Sequence, residues 1–206
     1  MTEWRALGAR AVRFSRPPGT SPRALLDRIR TWPGVVDVVI AREDVAVYFD
    51  DAPRISQGAI DVLANLRDDD GPVRTVELPA RYDGPDLPAV ADAAGLTIDE
   101  VVRVHAAARY EVETMGFAPG FAYLVGLDPR LCLPRLSTPR TRVPAGSIAL
   151  AGGYTGVYPF DSPGGWHVIG RVEGVRLFDE HGALLRLGDR VRFVRCPSSS
   201  LAPSAW

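Results

Sequence analysis

PRLSTPRTRVPAGSIALAGGYTGVYPFDSPGGWHVIGR, Pro134 to Arg171, reads as alternating short apolar runs and turns. The run Ser147–Ala151 is bounded by Gly146 and Gly152, and His167–Arg171 follows Pro163-Gly164-Gly165 with one residue between. Short runs with that punctuation are the pattern of a β-barrel or sandwich, in which each strand crosses once and turns. Working outward, GFAPGFAYL, Gly116 to Leu124, has the same texture, and further β-like runs occupy Tyr110–Thr114, Ala122–Val125 and Arg190–Val194. Together they predict an all-β unit of about 100 residues.

Upstream the pattern changes. Ala9–Phe14 alternates as a strand. Ser21-Pro22 supplies an N-cap and a proline at the first helical position, and Leu25, Leu26 and Ile29 follow at helical spacing. Val35–Ala41 and Asp44–Asp50 form a hairpin about the turn Arg42-Glu43. Ser56 caps a second helix carrying Ile60, Leu63 and Leu66, ended by the acidic loop Asp68–Pro72. Val73–Leu78 is a further strand. The order is βαββαβ, the ferredoxin-like pattern. Pro79–Pro85 reads as a linker, followed by a helix over Asp86–Ala94 and another that opens at Thr97 with Glu100 three residues on, a capping box. The predicted fold class is α+β, with a ferredoxin-like domain over 1–80 and a β-barrel domain over 81–206.

Composition bounds the function. The chain has 206 residues and 46% hydrophobic content, enough for a real core. A net charge of −1 gives no electrostatic pointer to nucleic acid or a membrane surface. No run approaches the roughly 18 apolar residues of a membrane helix, and the first residues lack a signal-peptide pattern. Cys132 and Cys196 lie far apart, as in a reduced cytoplasmic protein. All 24 basic residues are arginine, so a Schiff-base lysine and a P-loop lysine are excluded. There is no GxxxxGK[ST] loop, GxSxG elbow, HExxH or paired CxxC, and no metal site is expected.

Chemistry concentrates in Gly116–Arg171, which holds ten of the twenty glycines. Turns alone do not require Phe117, Phe121, Tyr123, Tyr154, Tyr158 and Trp166 beside them, and these aromatics suit the wall of a pocket. Arg140 and Arg142, two apart on a strand, project to one face and suit a carboxylate or phosphate, with surface salt bridges as the alternative. Gly120, Gly146, Gly152, Gly153, Gly164 and Gly165 allow backbone N–H groups to approach an anion. His105 and His167 are the candidate acid–base residues, against a structural role for each, and His181 lies in a polar turn. No self-sufficient catalytic set is present, which points to a binding protein or one part of a shared site.

The runs GFAPGFAYLVGLDPR, LSTPRTRVPAGS and TGVYPFDSPGGWHVIGR resemble one bacterial family. It is known as the B subunit of 5-oxoprolinase, as allophanate hydrolase subunit 1 or as the Kip inhibitor of sporulation kinase, and is related to the carboxyltransferase region of urea carboxylase. The resemblance covers about residues 9–195 and is most specific over Gly116–Arg171. It implies a ferredoxin-like domain followed by a cyclophilin-like barrel. It implies a partner, the C subunit of 5-oxoprolinase or allophanate hydrolase subunit 2 protein, in a heterodimer or a dimer of heterodimers, and a third 5-oxoprolinase subunit. The implied reaction is ATP-dependent opening of 5-oxoproline to glutamate, with ATP held here or by a partner. Allophanate hydrolysis and inhibition of a sensor histidine kinase are the alternatives. By motif position the resemblance carries over His105, Phe117, Pro119, Gly120, Arg140, Arg142, Pro144 and Gly146. It also carries over Ser147, Thr155, Ser162, Pro163, Gly165 and Arg171. Departures fall at His167 and Tyr154, where the family usually has glutamine, and at Ala118 and Ala122. They bear on substrate more than on fold.

Overall fold

The computed structural model describes residues 3–66 and 73–196. The predicted acidic loop Asp68–Pro72 lies outside them. The chain divides into two compact units, Met1–Val73 with Glu113–Met115, and Arg74–Val112 with Gly116–Trp206.

In the first unit the elements are β1 (Trp4–Ala6), β2 (Ala11–Ser15), α1 (Pro22–Ile29), β3 (Val35–Ile40), β4 (Asp44–Phe49) and α2 (Gln57–Leu63). Ser21 and Ser56 cap the helices as read, each accepting a backbone N–H three residues on, at 3.4 and 3.3 Å. The sheet is antiparallel in the order β1-β2-β4-β3, and Val12, Val45 and Val47 on its strands and Leu25, Ile29, Ile60 and Leu63 on the helices are fully buried. Thr114 belongs to this unit and donates its hydroxyl to the Ile40 carbonyl at 2.5 Å.

The second unit runs through β5 (Thr75–Arg81), α3 (Leu87–Ala94), α4 (Ile98–Ala107), the Tyr110–Val112 part of β6 (Tyr110–Met115), β7 (Ala122–Val125), a 3₁₀ turn at Pro129–Leu131 and β8 (Arg140–Val143). It continues through β9 (Ser147–Ala151), β10 (Tyr154–Val157), β11 (Ser162–Gly164) and β12 (His167–Val172), then β13 (Phe178–Asp179), β14 (Gly182–Ala183) and β15 (Arg190–Arg195). Seven strands close a barrel in the order β10-β7-β6-β15-β5-β12-β9, and β8 and β11 pair outside it. The capping box of α4 is present, Glu100 reaching back to the Thr97 N–H at 2.8 Å.

Three expectations are corrected. The strand expected to complete the βαββαβ sheet is β5, and it lies in the barrel, parallel to β15 and antiparallel to β12. The sheet edge beside β2 is taken by β1 instead. Alternation identifies a strand without identifying its partners, and Leu78 and Ala80 on β5 are fully buried in the barrel. The boundary expected after residue 80 therefore falls inside β5. Nor is Pro79–Pro85 a linker. Its first residues extend β5, and Tyr82–Asp86 straps across β12, with Gly84 N donating to Ile169 O at 3.2 Å and Asp86 N to Val168 O at 3.0 Å.

Candidate functional site

The aromatic residues of the motif region gather into one cluster. Phe121 sits at its centre, its ring centroid 5.0 Å from Tyr123 and 5.5 Å from both Tyr158 and Trp166. Tyr154 joins through Tyr123 at 5.5 Å, and Phe117 through Phe121 at 5.3 Å. The cluster is mostly packed on itself. Phe121, Tyr158 and Trp166 are buried with Val143, Ala149, Ala151 and Val168, while Tyr123 and Tyr154 are only partly covered. The expected pocket wall is thus a solid platform, and Phe117 stands outside it, 60% exposed.

One rim of the barrel is assembled from motif glycines and prolines. Gly146, at φ 83°, donates to the Tyr158 carbonyl at 2.7 Å, and Tyr158 N donates to Ser147 O at 3.0 Å. Pro144 O accepts the Ser147 hydroxyl at 2.6 Å. At Gly120, φ 80°, an added Cβ would lie 2.8 Å from both Leu177 O and Phe178 Cβ, so the loop is pressed against that segment. A cleft of about 350 Å³ opens there, lined by Ala145, Gly146, Pro159, Phe160, Val172 and Phe178 among others. Pro119 and Pro163 are exposed, and Ser162 is half-buried opposite Val143. The Gly165 carbonyl accepts from Leu136 N at 2.8 Å.

The paired-arginine expectation is corrected. Arg140 Nη2 meets Asp86 Oδ1 at 2.5 Å, and Arg142 Nη2 meets Asp161 Oδ2 at 2.6 Å. Two separate carboxylates hold them, so they do not share one anion. Asp86 is the more buried acid, and its Oδ2 also accepts the Val168 N–H at 2.7 Å. Arg142 is 73% exposed, an ion pair of the kind that contributes little to stability. Arg171 pairs with Asp83 at 2.8 Å. Asp83 and Asp86 were not among the sequence candidates. The signal was the run Tyr82-Asp83-Gly84-Pro85-Asp86, whose two acids flank a Gly-Pro step before a helix.

The histidines differ sharply. His105 is fully buried. Thr155 Oγ1 donates to Ala149 O at 3.0 Å and so accepts from His105 Nε2 at 2.9 Å. Nδ1 is then the acceptor for the Tyr82 hydroxyl at 2.8 Å. Burial pushes the imidazole pKa down to about 3, so the ring is neutral. His105 and Thr155 are satisfied core residues that pin α4 into the barrel, out of reach of a dissolved substrate. His167 is half-buried, with Nε2 on the Pro134 carbonyl at 2.9 Å and a buried Nδ1 that has no hydrogen-bond partner. His181 is exposed.

The His105 network has a pH signature. Its folded pKa lies below the ordinary value near 6.5, so below that pH the unfolded chain binds the extra proton and stability falls. The loss begins as pH drops through 6.5 and is complete near pH 3. Between pH 7.5 and 5 the difference is about 2 kcal/mol. Urea unfolding at the two pH values should show a smaller drop for His105→Gln than for the natural chain; equal drops would remove His105 as the cause.

Among the described residues no group of three or more histidine, cysteine or acidic side chains is placed to hold a metal, and no helix is long and apolar enough to cross a membrane.

An α+β chain with a closed seven-stranded barrel and an aromatic, glycine-rich rim defines a class of barrel modules. The chain belongs to the family "Carboxyltransferase domain, subdomain C and D", whose model matches residues 5–184. It is 37% identical over 199 residues to the 5-oxoprolinase B subunit of Haemophilus influenzae, covering 89% of this chain and 93% of that one. The crystal structure of TTHA0988 superposes with a TM-score of 0.76 at 38% identity, over 94% of this chain and 41% of that chain. This chain therefore spans about two fifths of TTHA0988. The Kluyveromyces lactis urea carboxylase matches 95% of this chain and 22% of its own, with a TM-score of 0.67 at 18% identity, a likeness of fold.

Proposed function

We propose that this chain is the B subunit of a 5-oxoprolinase-type complex that opens 5-oxo-L-proline to L-glutamate with ATP, and that it contributes part of a shared site. The observation that carries the reading is the near full-length likeness to a protein named as the B subunit of 5-oxoprolinase. The geometry supports the partial role. The buried histidine is neutral, and both motif arginines meet carboxylates of the chain itself.

Two polar atoms of the region have no hydrogen-bond partner, Arg140 Nη1, a donor, and His167 Nδ1, an acceptor when the ring is neutral. Both atoms are buried, so this chain alone offers neither to a dissolved ligand. A triphosphate calls for several free cationic donors, and these arginines are already engaged. ATP is therefore assigned to a partner protein. The C subunit and a third 5-oxoprolinase polypeptide make up the rest of the enzyme, and no step through the nucleotide is assigned to this chain.

The test is glutamate release from 5-oxoproline and ATP by the three co-expressed proteins, with and without this chain. Release that requires this chain is expected. An assembled set of three that releases none contradicts the reading.

A further inference from the structure

We propose that the rim bearing Phe117, Pro119 and Phe160 is a docking surface for the polypeptide that carries the rest of the carboxyltransferase module, with Phe117 as its preformed anchor. The proposal rests on the function proposed above and names the surface that such a function requires.

Phe117 is the one non-glycine residue among those described with a positive φ, 69°. Across it the Ala118 N–H donates to the Gly116 carbonyl at 2.9 Å, closing a three-residue turn of the rare, strained kind. The next turn is closed by Phe121 N to Ala118 O at 3.0 Å, and Gly120 is wedged against the backbone of Leu177. Held on both sides, the loop cannot relax to withdraw the ring. The ring stands edge-on to Phe121 at 5.3 Å and Tyr158 at 6.0 Å, over a packed floor, with most of its surface in water.

Strain and an exposed large apolar side chain both disfavour the isolated chain, and glycine at 117 would relieve both. The neighbouring rim has the same character. Phe160 is 43% exposed, lies 5.9 Å from Phe178 and borders the cleft. Of the nearby charges, Arg142 and Asp161 neutralise each other, while Arg176 lines the cleft. A largely apolar surface with one protruding rigid ring fits a protein partner with a complementary pocket. A small ligand needs the reverse, a concavity that encloses it, and Phe117 is not part of the lining of the adjacent cleft. The occupant follows from the family. The matching model describes subdomains C and D of a larger domain, and the TTHA0988 relative carries more than half of its length outside the matched part. The remainder of that module, on another polypeptide, is the partner.

The experiment measures binding of the 5-oxoprolinase C subunit to the natural chain and to Phe117→Gly, Phe160→Ala and Val194→Ala, together with the melting temperature of each. Phe117→Gly should weaken binding about 30-fold or more without lowering the melting temperature, as loss of an anchor residue does. Phe160→Ala should weaken it by roughly 5-fold, and Val194→Ala, exposed on β15, should not change it. If Phe117→Gly lowers the melting temperature and binds normally, Phe117 is structural and the proposal fails. If binding is unchanged but KM for 5-oxoproline rises in the assembled complex, the ring serves the substrate and docking is overturned. If the natural chain itself does not bind the C subunit, the proposed function falls with the docking surface.

Discussion

Gly170→Ala should abolish folding of the barrel unit or destabilise it by about 4 kcal/mol or more, a size reserved for changes the backbone cannot absorb. A Cβ at residue 170 would lie 2.2 Å from the Arg81 carbonyl oxygen and 3.0 Å from Tyr82 Cα. Its neighbour in the crossing, Gly84, faces the Val168 carbonyl oxygen in the same way, at 2.3 Å. Here two backbones touch directly, where the strap Tyr82–Asp86 crosses β12 at its register shift between Val168 and Gly170. Neither atom is the flexible end of a side chain, so the clash is relieved only by separating the strap from the strand. That would break the hydrogen bonds from Gly84 and Asp86 and move the Asp86 carboxylate. Gly58→Ala in α2 is the control, since its Cβ meets only Ser56 Oγ at 3.9 Å and alanine favours a helix. Soluble yield and thermal melting check both variants. A Gly170→Ala chain that melts like the natural one would show that the crossing is looser than these distances require.

Asp86→Ala should cost about 3 kcal/mol, because it orphans a buried backbone N–H and strips a guanidinium of its partner at once. One carboxylate ties three elements: it stands at the start of α3, accepts from Val168 N on β12 and from Arg140 on β8. Arg140 already has one buried nitrogen without a partner, so the loss of Asp86 leaves it with no compensation close by. Arg142→Ala should by contrast cost less than about 1 kcal/mol, as its pair with Asp161 is exposed. Urea unfolding of the two variants decides the matter. Equal losses would mean that burial does not distinguish the two ion pairs.

These two sites also mark where the sequence was readable and where it was not. Local signals were legible: the serine caps, the Thr97–Glu100 box and the strands at Ser147–Ala151 and His167–Arg171. Each depends on residues a few positions apart. Partnership was not legible, because alternation along Thr75–Arg81 is the same whether the strand closes a sheet or enters a barrel. The candidate site divides the same way. Of the aromatic residues named from the motifs, all but the exposed Phe117 pack in one cluster. The roles of the arginines depended on acids 54 and 19 positions away, Asp86 and Asp161, which spacing along a strand cannot reveal. His105 was a candidate by residue type, and only its full burial between Tyr82 and Thr155 shows it to be core.

If this barrel supplies an incomplete site whose arginines are largely engaged within the chain, the isolated protein has no place for a nucleotide. Calorimetric titration of the isolated chain with ATP tests that most directly. No measurable heat of binding is expected at millimolar nucleotide. Micromolar binding to the chain alone, lost in Arg140→Ala or Arg142→Ala, would contradict it.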